Sequence, residues 1–135
     1  MPSATEERLK RAYEAFGRGE LDAILAVMGP DVEWDASDAL AHRGVYRGHA
    51  GVSEYIRTIG ETWEEFELVP EEFTESADGE HVMMLGHVRG RLKGSDESLE
   101  ARFAHVGRMR DGKLARVKVC LDREAALRTL EGAGA

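Results

Sequence analysis

Apolar residues recur every three or four positions in the first half of this chain and every second position in the second half. The first spacing predicts helices with one buried stripe, and the second predicts strands with one buried face. Leu9, Ala12, Tyr13 and Phe16 mark a first helix, which starts near Ser3 or Thr5 with Ser3-x-x-Glu6 as a capping box and ends before Gly17-Arg18-Gly19. Leu21, Ile24, Leu25 and Met28 mark a second helix over residues 20–28, closed by Gly29-Pro30. The two are expected to pair as a hairpin. Residues 31–35 alternate as a short strand with Val32 and Trp34 on one side, and residues 36–48 read as a loop long enough to be a rim or lid. A third helix follows His49-Ala50-Gly51 and buries Val52, Tyr55, Ile56, Ile59 and Trp63.

The remainder predicts sheet. Residues 66–75 form a strand in which Pro70 removes a ladder donor and implies an edge or a bulge. In residues 81–93, Val82, Met84, Gly86, Val88 and Leu92 face one way and His81, His87, Arg89, Arg91 and Lys93 the other. Asp111-Gly112, suited to a two-residue hairpin turn, joins two further alternating runs. Before it Leu99, Ala101, Phe103, His105, Gly107 and Met109 share a face; after it Ala115, Val117, Val119 and Leu121 do. Asp122 caps a last helix through Leu130, and EGAGA forms a frayed tail. This order of elements gives the α+β class, in one domain over residues 1–135.

Composition removes several function classes. No apolar run approaches the roughly 20 residues of a membrane span, and the charged start MPSATEERLKR lacks the apolar core of an export signal, so a cytoplasmic protein with no membrane partner is expected. A net charge of −8 argues against nucleic acid as a partner. Cys120 is the only cysteine, which excludes an internal disulfide and suits a reducing compartment. The five histidines at 42, 49, 81, 87 and 105 include no close ligand pair, so no metal is expected. Gly17-Arg18-Gly19 follows a helix rather than a strand, and residues 44–51 lack a P-loop ending, so neither predicts a nucleotide cofactor, and none is expected.

His105 is the polar exception on an apolar strand face. It must find a partner or lose basicity, either as a donor or acid/base group in a pocket, or as a core histidine satisfied by a carbonyl or by Tyr13. His87, Arg89, Arg91, Arg102, Arg108, Arg110, Arg116 and Lys118 fall on the opposite face. They are expected to pair there with acids such as Glu65, Glu67, Glu71 and Glu100; a local reversal would instead turn His87, Arg89 and Arg102 inward toward an anion.

The segments RAYEAFGRGELDAILAVMGPDVEWDA (11–36), GVYRGHAGVSEYI (44–56) and FAHVGRMRDGKLARVKVCLDREAAL (103–127) resemble the SnoaL-like branch of the NTF2-like superfamily, which also includes ketosteroid isomerases and limonene-epoxide hydrolases. The resemblance implies a cone-shaped barrel: a curved antiparallel sheet wrapped around three helices, a pocket between them, and a convex face used by homodimers. It places His105 where isomerases of this fold carry a neutral aspartic acid that donates to an oxyanion. The family's helix-one tyrosine falls nearest Ala12, with Tyr13 adjacent, and its general-base aspartate nearest Ala36, with Asp35 and Asp38 close by.

His105, Asp35, Asp38 and Tyr13 are therefore the expected catalytic residues. Phe16, Trp34, Tyr55, Ile59, Trp63, Met84, Val88, Phe103 and Val119 are the expected walls of a pocket for a small apolar or aromatic molecule. Three functions stay open: a cofactor-independent isomerase or cyclase using acid/base chemistry on an apolar carbonyl compound, a noncatalytic small-molecule binder, and a dimeric interaction module with a filled interior. A homodimer is expected to form through the convex face, using Met83, Leu85 and Val106.

Overall fold

A computed structural model describes residues 3–18, 20–38 and 42–133. The elements are α1 (Ala4–Gly17), α2 (Leu21–Leu25), β1 (Met28–Asp35), β2 (Val45–Arg47), α3 (Gly48–Thr62), β3 (Trp63–Glu75), β4 (His81–Leu92), β5 (Ser98–Arg110), β6 (Lys113–Cys120) and α4 (Arg123–Ala133). Gly19, the middle of the 36–48 stretch and the end of the EGAGA tail lie outside the described residues.

Ser3 caps α1 as its sequence predicts, its hydroxyl accepting from the Glu6 N–H at 3.1 Å. α2 is shorter than the 20–28 pattern implied. The Leu114 N–H donates to the Val27 carbonyl at 2.8 Å, and Met28 pairs with Leu114, so the chain is drawn into the sheet before a third helical turn forms. The 36–48 stretch contains a strand where a loop was expected: β2 pairs antiparallel with Glu33, Trp34 and Asp35. Three residues are too few for a period to register in sequence.

The sheet runs β2-β1-β6-β5-β4-β3, curved and unclosed. β3 to β6 form the expected meander, whereas β1 joins β6 in parallel, so the sheet is mixed. Pro70 sits on the edge strand β3, opposite Gly86, with a register shift between Pro70 and Glu72. Asp111 and Gly112 both have positive φ, 53° and 79°, as a type I′ hairpin turn requires. On β6 the apolar face differs from the alternation expected. Arg108 pairs with Arg116 but Met109 pairs with Leu114, so Ala115 is an extra residue in the ladder. That bulge turns both Leu114 and Val117 inward, while Leu121 is 60% exposed.

The main core lies between the concave sheet face and α1 to α3, with Leu9, Tyr13, Val32, Trp34, Val52, Met84 and Val117 at its centre. A second core lies on the convex face, where α4 covers Met83, Ala104, Val106 and Cys120 with Ala126 and Leu130. Asp122 caps that helix, accepting from the Ala125 N–H at 2.8 Å. Met83 and Val106, 1% and 5% exposed, are thus buried by the chain's own last helix and are unavailable to a second subunit. Three of the outer-face groups meet the expected acids, His87 with Glu71 at 3.2 Å, Arg89 with Glu100 at 2.9 Å and Arg91 with Glu65 at 3.6 Å, while Arg116 and Lys118 pair instead with acids of the β1 segment. Arg89 and Arg102 are exposed, so the sheet does not reverse to bring them inward.

Gly86 marks the closest approach in the sheet. A Cβ there would lie 2.1 Å from the Val69 carbonyl oxygen, which belongs to the backbone and cannot swing aside. Gly86→Ala is expected to lower the unfolding free energy by about 1–3 kcal/mol. Gly60→Ala on α3, where nothing lies within 4 Å, is expected to raise it by about 0.5–1 kcal/mol. Urea unfolding of the two variants checks both signs.

Candidate functional site

Four elements converge on one buried group. The 3.6-residue period of α1 turns Tyr13 toward the sheet, and the alternation of β5 and β4 turns Phe103, His105 and Met84 toward Tyr13. From β1, Trp34 meets the His105 ring edge-on at 5.3 Å between centroids, and Phe103 lies 4.7 Å from it. His105 is 4% exposed. Its Nδ1 lies 2.7 Å from the Tyr13 hydroxyl oxygen, which is also 3.3 Å from Met84 Sδ. A phenol has one proton to give, and an imidazole nitrogen accepts far better than a thioether. Tyr13 is therefore assigned as donor to Nδ1, and His105 as the Nε2–H tautomer.

Burial governs the ionisation of both groups. It pushes the His105 pKa down to about 3 and the Tyr13 pKa upward, because no countercharge accompanies either into the core. The pair is neutral near neutral pH: it can donate a hydrogen bond but is a poor proton acceptor. Nearby, Tyr55 is raised to about 12, mainly by burial. It packs 5.5 Å from Trp34 and 4.8 Å from Tyr46, and Tyr46 in turn donates to the His42 carbonyl at 3.1 Å.

Beside this group lies a cavity of about 30 Å³, bounded by Tyr13, Phe16, Trp34, Tyr55, Ile56, Leu114 and Val117 among others. Among the described residues no carboxylate lines it. Of the expected walls, Phe16, Trp34 and Tyr55 line the cavity, as does Tyr13. Met84 and Phe103 surround His105 behind Tyr13, and Val88 and Val119 pack against the edge of the same core. Ile59 and Trp63 are not brought to it: Ile59 is buried outside the cluster, and Trp63 packs over Gly90 and Phe66 at the start of β3.

Asp35 and Asp38 are not brought to it either. Trp34 faces inward, so the next residue on the strand must face outward. Asp35 accepts from the Ser37 hydroxyl at 2.6 Å and pairs with Arg116 at 3.1 Å and Lys118 at 3.8 Å; Asp38 pairs with Lys118 at 3.1 Å. The Ser37 hydroxyl, chiefly, together with the Ser37 N–H and the two cations, holds the Asp35 carboxyl below the usual carboxylate range despite its burial. Neither acid is placed to take a proton from a molecule beside His105.

A family model described as a SnoaL-like domain matches residues 9–117. The chain belongs to the SnoaL-like family. Among solved structures it is similar to an NTF2-like protein of unknown function from Burkholderia pseudomallei, at 30% identity and TM-score 0.77 over 96% of this chain and 98% of that one. It is similar at 30% identity and TM-score 0.76 to TerC co-crystallised with polyporic acid, over 95% and 98% of the two chains. A Catenulispora acidiphila protein with a ketosteroid isomerase-like fold, in complex with trimethylamine, shares the fold at 14% identity and TM-score 0.75, over 93% and 92%. No curated protein matches significantly.

In this SnoaL-like protein Ala36, just past the end of β1, is fully buried in the same core as Trp34 and offers no carboxylate. Among the described residues around the cavity, the polar side-chain groups are the Tyr13–His105 pair, the Tyr55 hydroxyl and the Trp34 indole N–H. Sequence reading missed Tyr46, because β2 was too short to be read as a strand.

The depressed His105 pKa sets a pH dependence. The unfolded chain binds a proton on this ring below about pH 6.5, whereas the folded chain stays neutral down to about 3, so stability falls as pH drops through that window. The contribution is at most about 1.4 kcal/mol per pH unit. His105→Gln is expected to flatten the stability profile between about pH 6.5 and 5, above the range where carboxylates titrate. Urea midpoints at several pH values measure it; an unchanged slope would mean that the ring titrates alike in the folded and unfolded chains.

Proposed function

We propose that this protein binds a small, flat, neutral molecule, apolar or aromatic with one carbonyl or hydroxyl oxygen, in the space between α1, α3 and the concave sheet. The observation that carries this reading is the Tyr13–His105 hydrogen bond of 2.7 Å, a single neutral polar pair set among aromatic walls. Such a site favours burial of an aromatic ligand and orients it through one oxygen. A charged ligand would enter without a countercharge and bear a large desolvation cost. Family membership supports a small-molecule pocket, and TerC, 30% identical, was co-crystallised with an organic molecule, polyporic acid. The cavity of about 30 Å³ has room for little more than a water, so a ligand enters as the half-buried Phe16, Tyr55 and Ile56 turn aside.

A second reading, an isomerase or cyclase, is favoured by the same neutral pair. A preorganised donor in a dry site stabilises negative charge developing on a substrate oxygen, and a neutral imidazole does so without an ion's desolvation penalty. Asp35 and Asp38 have no part in this reading, since they are bound on the outer face. Proton movement would fall to the substrate's own groups or to solvent.

Mass spectrometry of molecules retained by the purified protein, followed by titration of the compound found, tests the proposal. Tyr13→Phe removes the partner that holds His105 as the Nε2–H donor while keeping the ring, and is expected to weaken binding about tenfold as that donor loses its fixed tautomer and orientation. Asp35→Asn is expected to leave affinity unchanged. Equal affinity in wild type and Tyr13→Phe would overturn the reading.

A further inference from the structure

We propose that the β3–β4 turn is a binding site for a divalent transition-metal ion of the Zn²⁺ type, with His81 Nδ1 and the carboxylates of Asp78 and Glu80 as ligands. Among the described residues these three side chains alone form a group of potential metal ligands, each offering one donor atom within 4.8 Å of the others. The set combines one imidazole nitrogen with two carboxylate oxygens, a borderline donor set that suits Zn²⁺ and leaves positions for water.

A second observation points to a missing partner. His81 is only 9% exposed, and its Nδ1 is buried without a hydrogen-bond partner. Asp78 Oδ1 lies 3.9 Å from it, too far for a hydrogen bond. Two ligands about 2.0–2.1 Å from a shared ion stand about 3.3 Å apart in a tetrahedron and about 4.2 Å apart across an octahedron. The observed separation is wider than the tetrahedral one, and rotation of the exposed Asp78 and Glu80 side chains can close it.

The backbone under the site is tied down. The Ser76 N–H donates to the His81 carbonyl at 2.9 Å, the Glu80 N–H donates to Asp78 Oδ1 at 2.9 Å, and the Met109 N–H of β5 donates to the Glu80 carbonyl at 2.6 Å. Arg108, Arg116 and Lys118 line the adjoining hollow with Glu80 and His81. Arg116 and Lys118 are committed to Glu33, Asp35 and Asp38, which leaves Arg108 as the cation that opposes a metal there and holds the affinity below that of a closed structural site. The group carries no paired-histidine or cysteine spacing: its one histidine follows Asp78 by three residues and Glu80 by one, on the same turn.

The test uses the full-length protein stripped with EDTA and titrated with ZnCl₂ by calorimetry, with the histidine ring ¹⁵N signals followed in parallel. One ion is expected to bind per chain and to shift the His81 ring. Asp78→Asn, which keeps the acceptor oxygen of the turn, and Glu80→Gln are each expected to weaken binding about tenfold or more. Both positions are exposed, so the fold survives for the comparison. Absence of Zn²⁺ binding, an unmoved His81 ring, or undiminished binding in the Asp78→Asn/Glu80→Gln double variant, which would put the ion on Cys120 or another histidine, overturns the proposal.

Discussion

The hydrogen bond from Tyr13 on α1 to His105 on β5 decides what chemistry the interior can perform. It joins the first helix to the central part of the sheet through the core, so the docking of α1 and the rotamer of His105 constrain each other. Because Nδ1 is occupied, Nε2 carries the proton; because no charge follows the ring inside, it stays neutral. The outcome is a fixed donor in an apolar surrounding, with little capacity to take up a proton.

The period of a β-strand then separates two kinds of surface with no more than one residue between them. On β1, Trp34 and the adjoining Ala36 look into the core, while Glu33 and Asp35 look out to Arg116 and Lys118. The acids and cations of the outer face satisfy one another there, and α4 covers the apolar remainder of that face with Ala126 and Leu130. The interior in consequence presents no charge among its described residues, so a buried ion there would have no countercharge.

Much of this was legible from residue spacing. The inward direction of His105 follows from its parity with Phe103, and the Asp111-Gly112 turn and the Pro70 edge position follow from backbone chemistry that leaves few alternatives. The outward direction of Asp35 was legible too, since Val32 and Trp34 already claimed the inner face. Other features had no local signal. The extra residue at Ala115 that turns Leu114 inward depends on pairing with β5, and β2 exists only because β1 offers it an edge. The parallel contact of β1 with β6 joins segments some 80 residues apart, and the size of the cavity depends on how Phe16, Tyr55 and Ile56 pack.

The central claim is that His105 is a neutral Nε2–H donor held by Tyr13. Heteronuclear NMR of the ¹⁵N-labelled imidazole measures this directly. The account predicts a neutral ring with Nε2 protonated and Nδ1 accepting, unchanged from about pH 5 to 8. A ring that titrates near the ordinary histidine value of about 6.5, or one protonated on Nδ1, would contradict it.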